Sequence, residues 1–482
     1  MTSTVTRRVA RGGIAGIVGA GAAGATGIVV AWVVARMLGA EGAGAFFAAT
    51  AGFVLAGAVA KLGTQTGLVY WVATLRAQDR GHLLGACLRI GLTPVAAAAT
   101  ALAVVLWFAA PAPLDWLALF LPLATLSDTM LAATRGYTMI RPTVILERIC
   151  RPALQLAAVA GLAFAGVRSP AAYAVAWVMP YIPVALLAGY ALRGAYLSGP
   201  TKRAGHRAMM ALRARFWRFT GPRALASVAQ QALQRVDVLL VASLGGLAAA
   251  ATYAVAGRFV VLGQFANQGI TQSIQPRLAE ALARNDRDAA NALYQTATGW
   301  LVLLTWPLYL LVNTYAPVYL GLFGPEYAAG GPVVVVLASA MLVATGCGMV
   351  DIVLSMAGRT RWNLANVTIA LAAMMALDLV LIPHFGAVGA AVGLAVAVLF
   401  NNIVPLVQVG RSVGLHPFGT GTMAAIGLAV GCFGVLPRAV AAAAGTGPAA
   451  LLGALAAAIL LYACGAYRLR GVLALDALRA KR

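Results

Sequence analysis

The sequence predicts an all-α polytopic membrane protein of about fourteen transmembrane helices, arranged as two pseudo-symmetric six-helix lobes plus two C-terminal helices. Three observations carry that prediction. The 482 residues are 62% hydrophobic and only 10% charged, against roughly 25% charged in a soluble domain. Apolar stretches of twenty or more residues recur from Gly13 to Tyr467, each able to cross a hydrocarbon core of about 30 Å at about 1.5 Å per helical residue. The alternation of a barrel strand is absent from them, so helix is the conformation that satisfies the backbone in lipid.

Taken in order, the spans of the first half cover 13–37, 43–71, 83–110, 115–134, 144–166 and 172–192, and those of the second half cover 220–243, 249–272, 292–315, 330–356, 362–382 and 388–409. Two more follow near 420–436 and 448–467. The domain plan is an N-terminal lobe over 1–192, a basic linker over 193–219, a C-terminal lobe over 220–409, and the last two helices with a tail over 410–482. The first span follows Arg7, Arg8 and Arg11 without a convincing cleavage site, and reads as an uncleaved helix. Gly12, Gly16, Ala20 and Gly24 give it a stripe for close helix packing.

A net charge of +22 would suggest nucleic acid in a soluble protein. Its placement argues otherwise. When loops are assigned alternately to the two sides, one side collects 26 Lys and Arg and the other holds only Arg168 and Arg438. The positive-inside rule then puts both termini in the cytoplasm and the protein in a plasma or inner membrane, with anionic lipid headgroups as by-product partners and no nucleic acid. The linker, with Arg207, Arg213, Arg215 and Arg218 interleaved with Met209, Leu212, Phe216 and Trp217, is either an amphipathic helix or a solvated connection. The five cysteines lie in or beside apolar segments without CxxC spacing and read as buried thiols.

The two halves align at an offset of 206: Leu38, Gly39, Phe53 and Gly63 face Leu244, Gly245, Phe259 and Gly269. Asp128 stands seven residues before Arg135 in span four, as Asp351 stands eight before Arg359 in span ten. Such a repeat is a transporter-like plan.

Ionisable groups at bilayer depth cost about 2.5–3.5 kcal/mol or more and so mark sites. Span seven places Gln230, Gln234 and Asp237 on one face beside Arg235, and span eight places Gln264, Asn267 and Gln268 on one face with Arg258 at its edge. Span two offers Lys61, and span one ends with Arg36. One reading presents Arg36, Lys61, Arg235 and Arg258 to an anionic cargo in a central aqueous cavity, since cations of this kind bind phosphate oxygens. The other pairs Arg235 with Asp237 and lets Arg36 snorkel to headgroups. Asp128 and Asp351 are candidates for ion coupling, or else structural ion pairs and caps. Glu147, Arg148 and Arg151 read as an inner-face structural cluster. No P-loop, HExxH or nucleophile elbow is present and the four histidines are scattered, so neither catalysis, a metal nor a cofactor is expected.

Several segments resemble a known family. ARMLGAEGAGAF after span one, DVLLVASLG with Tyr253 and Arg258, PRLAEALARNDRDAA, YLGLFGPEYAAGG, and AGRTRWNLANV leading into LIPHFGAVGAAVG are similar, in order and over nearly the whole chain, to the Wzx-like polysaccharide-biosynthesis flippases of the multidrug/oligosaccharidyl-lipid/polysaccharide exporter superfamily. The resemblance implies a transporter, not an enzyme. Its cargo would be an undecaprenyl-pyrophosphate-linked oligosaccharide moved from the inner to the outer leaflet by alternating access. Glycan polymerase or assembly proteins would be its partners. A lipid II flippase and an ion-coupled multidrug antiporter of the same superfamily are the near alternatives. A membrane-embedded glycosyltransferase or polymerase is the distant one, because the longest outer segment is only about 315–330.

Overall fold

The computed structural model of the protein describes residues 2–197, 205–445 and 447–475. Lys202 and Arg203 of the predicted linker lie outside the described residues, and Gly12, Gly16 and Ala20 outside those whose side chains are described. The described residues form helices joined by short turns, without a strand. They divide into two compact units, residues 1–243 and 244–482.

Nine helical segments among the described residues are long and apolar enough to cross a membrane. They cover ten of the predicted spans, because the first two spans are joined in one segment, Ala23–Ala60. The four spans that do not qualify are the fourth, fifth, seventh and eighth, which carry Asp128, Arg151, Asp237 and Arg258. In the seventh and eighth, Val236–Gly245 and Leu247–Val260 are apolar but too short to cross.

In the first unit, spans one and two are the two arms of Thr2–Ala60, bent at Gly39 (φ 67°, ψ −175°). Span two stops at Lys61–Gly63 and resumes as Thr64–Ala77. Span three is Leu84–Ala109, and span four is Leu114–Ala118 followed by Leu121–Gly136. Span five starts as a π-helix, Thr143–Cys150, and becomes α over Arg151–Phe164. The backbone N–H of Arg151 donates to Leu146, five residues back. Pro152, which follows, has no N–H to give the Arg148 carbonyl, so the α ladder cannot be kept there. Span six is broken at Met179–Pro180, between Pro170–Val178 and Tyr181–Leu197.

The predicted linker and seventh span are not separate elements. His206–Leu233 is one helix, followed by Val236–Leu240 and a π turn. Its first half is the amphipathic helix of the two alternatives: Leu212 and Phe216 are buried in a core with Leu68 and Val72 of span two, while Arg207, Arg213, Arg215 and Arg218 are exposed. Glycines set the crossing. A Cβ at Gly63 would meet the Ala224 Cα at 2.6 Å, and one at Gly67 would meet Phe216 and Thr220. The boundary between the compact units falls after residue 243, so this helix packs with the first unit.

The second unit begins with Leu247–Ala256, turns at Gly257, and continues as Arg258–Ala283. Gly246 (φ 90°, ψ 165°) opens it with nearly the conformation of Gly39, one residue from the aligned Gly245, so the repeat read from the sequence has a backbone expression. Span nine is Arg287–Thr314, and the segment after it folds back as Ala316–Gly321 and Pro325–Gly330. Span ten is Gly331–Gly346 and Val350–Met356, interrupted at Cys347–Met349. Thr360–Phe385 and Ala387–Ser412 form a hairpin hinged on Gly386 (φ 54°, ψ −129°). The last spans lie within Thr420–Ala444 and Ala449–Arg468. Of the free thiols, Cys87, Cys347 and Cys432 are buried, whereas Cys150 is half-buried and Cys464 is exposed on the final span, contrary to the expectation of five buried groups.

Candidate functional site

In the first unit three backbone irregularities converge on one carboxylate. Lys61 is delivered by the break in span two, where Leu62 (φ 51°) and Gly63 (φ 68°) are both left-handed. Arg151 stands where span five passes from π to α, and Tyr181 follows the break in span six. Asp128, on Leu121–Gly136, receives both cations: Lys61 Nζ lies 3.1 Å from Oδ2 and Arg151 Nη1 lies 3.4 Å from Oδ1. Arg151 Nη1 also donates to the Tyr181 hydroxyl at 3.3 Å, and its guanidinium carbon is 5.0 Å from the centre of that ring. Tyr181 is held by Phe53 and Trp177. Nearer the span ends, Arg135 and Glu147 approach to 4.0 Å.

The depth of this cluster decides what it means. Asp128 lies six residues before the predicted end of its span at 134, Lys61 ten before 71, and Arg151 seven after 144, which is roughly 9–15 Å of helix. The three side chains keep 16–21% of their surface, so none is sealed in protein. Glu147 is a second carboxylate within electrostatic reach of Arg151 and Asp128, and Arg135 and Arg148 act on it in turn. Lys61, Arg151, Arg135 and Arg148 against Asp128 and Glu147 leave an excess positive charge that water or an anion must balance.

The polar stripe of span seven is on the surface: Ser227, Gln230 and Gln234 are exposed, whereas Asp237 is 3% exposed and accepts the Val238 N–H at 2.7 Å. Arg235 is half-buried in the turn between Leu233 and Val236, with its Nε buried and without a hydrogen-bond partner. Arg36 is exposed, two residues before Leu38 and the Gly39 bend.

In the second unit, Gln264, Asn267 and Gln268 are likewise exposed along Arg258–Ala283. Stripes of amides on span surfaces cannot face hydrocarbon, so both stripes border water. Arg258 is half-buried at the start of its helix, close enough to Tyr319 to act on it electrostatically. The Tyr319 hydroxyl donates to the Val255 carbonyl at 2.8 Å. Asp351 is half-buried, on the short helix after the interruption in span ten. Arg359, eight residues on, lies over the Trp362 ring at 4.4 Å.

Two residues escaped the sequence reading. Arg151 stays within electrostatic reach of Glu147, as the sequence suggested, and the contact to Asp128 is the addition that the sequence did not show. Asp378, fully buried in span eleven, lies against Gly393, where a Cβ would collide with its Oδ1. A charged residue in the middle of an apolar span was the available signal for it. Elsewhere in the same hairpin, Asn366 and Gln408 exchange two hydrogen bonds, at 2.8 and 3.2 Å. No cluster of three or more His, Cys, Asp or Glu able to hold a metal occurs among the described residues.

Residues 222–388 match the family model MatE. Curated protein sequences return no match. Among solved structures the fold is similar to the lipid II flippase MurJ in an inward closed conformation, with a TM-score of 0.69 and 12% identity over 94% of this chain and 98% of that one. It is also similar to an inward-facing multidrug resistance MATE family transporter of the MOP superfamily, with a TM-score of 0.65 and 13% identity over 81% and 94%. A third likeness is to a MOP superfamily transporter from Pyrococcus furiosus, described as having a binding pocket of reversed polarity, with a TM-score of 0.53 and 14% identity over 84% and 95%. The family model covers about a third of the chain, and the likenesses to these structures show a shared fold.

Proposed function

We propose that this protein is a flippase that moves an undecaprenyl-pyrophosphate-linked oligosaccharide from the inner to the outer leaflet of the plasma or inner membrane, with both termini in the cytoplasm. The observation that carries this reading is the accessible, cation-rich cluster of Lys61, Asp128 and Arg151 about 9–15 Å inside the span ends. A diphosphate is the natural complement of an ammonium and a guanidinium sharing too little negative charge. The exposed amide stripe of span seven, in the same unit, supplies hydrogen-bonding groups for a sugar headgroup. Arg36, Arg235 and Arg258 are proposed as further headgroup ligands, and Asp351 as a candidate for ion coupling. The polyprenyl tail stays in the lipid.

A lipid II flippase is the second reading. It is favoured by the likeness to MurJ and calls for the same diphosphate chemistry. An organic-cation antiporter fits less well, because a cationic drug would meet net positive charge in the first unit.

The test is translocation in proteoliposomes of three fluorescent lipids: an undecaprenyl-pyrophosphate oligosaccharide, lipid II, and undecaprenyl phosphate without a glycan. Imposed pH and sodium gradients identify the driving ion. Flipping of the oligosaccharide lipid, reduced at least about tenfold by Arg258→Ala or Arg235→Ala with folding retained, is the expected result. Preference for lipid II moves the protein to the second reading. Efflux of small cations without lipid movement refutes both.

A further inference from the structure

We propose that Asp128 is a built-in counter-anion that the cargo displaces, and that Arg151, together with Lys61, is the pair of headgroup ligands so uncovered. The inference rests on the diphosphate-lipid reading above and adds to it a competition inside the first unit.

The geometry carries the argument. Each oxygen of Asp128 serves a different cation, Oδ2 for Lys61 and Oδ1 for Arg151, so the carboxylate spans the gap between them much as a phosphate would. The contact to Arg151 is long, at 3.4 Å, and engages a single guanidinium nitrogen, well short of a bidentate pair. That guanidinium is steered by Tyr181, which accepts a hydrogen bond from the same nitrogen and offers its ring face. A group held in place by a neutral partner can exchange its anionic partner without losing its position. Lys61 sits on a turn whose shape is fixed without Asp128: the Lys61 carbonyl accepts both the N–H and the hydroxyl of Thr64, at 2.9 and 2.7 Å. The Arg151 guanidinium and the Lys61 backbone are therefore positioned by other groups, while the Lys61 ammonium, at the end of a flexible side chain, is free to follow whichever anion occupies the site.

Such an arrangement has a physical advantage in a carrier. Two bare cations at this depth would be costly when the site is empty and would hold a diphosphate too tightly for release. An internal carboxylate lowers both costs. It stabilises the empty state, and it returns to the cations as the headgroup leaves.

Kinetics and binding test the proposal, using the full-length protein. Asp128→Asn keeps the shape and removes the competing charge. The expected result is an apparent KM for the lipid lower by about tenfold, a lower kcat because release slows, and tighter binding of inorganic pyrophosphate to the protein in detergent. Lys61→Gln and Arg151→Gln raise KM and weaken pyrophosphate binding, and Arg151→Lys restores part of the loss. In the Lys61→Gln, Arg151→Gln background, Asp128→Asn no longer changes either quantity. Glu280→Gln, which removes the exposed pair with Arg284, serves as a control with unchanged KM. If Asp128→Asn lowers thermal stability while leaving KM and pyrophosphate binding unchanged, the triad is a structural ion pair and the proposal is overturned. If the wild type moves no polyprenyl-pyrophosphate lipid, the functional reading fails separately. Pyrophosphate binding then decides the site alone, supporting it when Asp128→Asn strengthens binding and the cation variants abolish it, and refuting it when they do not.

Discussion

Span two of the first unit stops at Lys61–Gly63 and resumes, whereas the segment aligned with it in the second unit runs unbroken through Asn267 and Gly269, from Arg258 to Ala283. The second unit places its interruptions elsewhere, at Gly257 and at Cys347–Met349. The in-span groups differ to match. In the first unit, ion pairs hold Lys61, Asp128 and Arg151. In the second unit, neutral contacts prevail in the corresponding hairpins, such as the reciprocal Asn366–Gln408 amides and the bond from Tyr294 to the Cys347 carbonyl at 2.6 Å. Duplicated helices thus keep their order while a break moves along the helix, and the residue at the break acquires the chemistry. Lys61 is presented because its helix ends there, and Asn267 remains one amide in an exposed stripe.

The comparison is most easily broken at its glycines. Gly63→Ala is expected to have the largest effect. A left-handed φ costs a non-glycine residue about 1–2 kcal/mol, and the Cβ would strike the backbone of Ala224, adding roughly 1–3 kcal/mol of overpacking. Thermal unfolding followed by tryptophan fluorescence should fall accordingly. An unchanged transition would show that the break in span two is not what positions Lys61.

Next in size is the neutral pair of the second unit. Asn366→Leu leaves the half-buried Gln408 without its partner, at a cost of about 1–3 kcal/mol. The double variant Asn366→Leu, Gln408→Met should recover part of that loss, as coupled neighbours do. Additive losses in the two single variants would mean that the amides act independently.

The smallest effect is expected for Gly269→Ala, the aligned partner of Gly63. Inside an unbroken helix this change should be neutral or stabilising by up to about 1 kcal/mol. A destabilisation as large as that of Gly63→Ala would restore the equivalence of the two positions that the sequence alignment suggested.

Several features could be read in advance because they depend on sums or on neighbours along the chain. The helical class follows from the length and apolarity of the segments, since backbone in lipid has no other way to satisfy its polar groups. The turn at Gly39 and its repeat at Gly246 were legible in the LGA and LGG motifs. The amphipathic character of 206–219 was legible as one of two alternatives in the interleaving of Leu212 and Phe216 with arginines, and packing against Gly67 and Leu68 decided between them. Asp128 was legible as a group in need of a partner, because an ionisable group at depth is costly wherever the helix points.

The partners of Asp128 were not legible. Lys61 is 67 residues away and Arg151 is 23 away, and their meeting depends on where three helices break or change pitch. Arg151, just after the π segment, meets Asp128 while staying within electrostatic reach of Glu147, the neighbour that the sequence suggested. By itself the sequence determined the helical form of the apolar spans and the residues too polar to lie in lipid, because hydrophobic burial and backbone satisfaction are local and nearly additive. Tertiary structure alone decided which of those residues share a charge, because an ion pair is set by distances of about 3–4 Å, and no periodicity along one chain fixes the rotation and breakpoint of another helix to that precision.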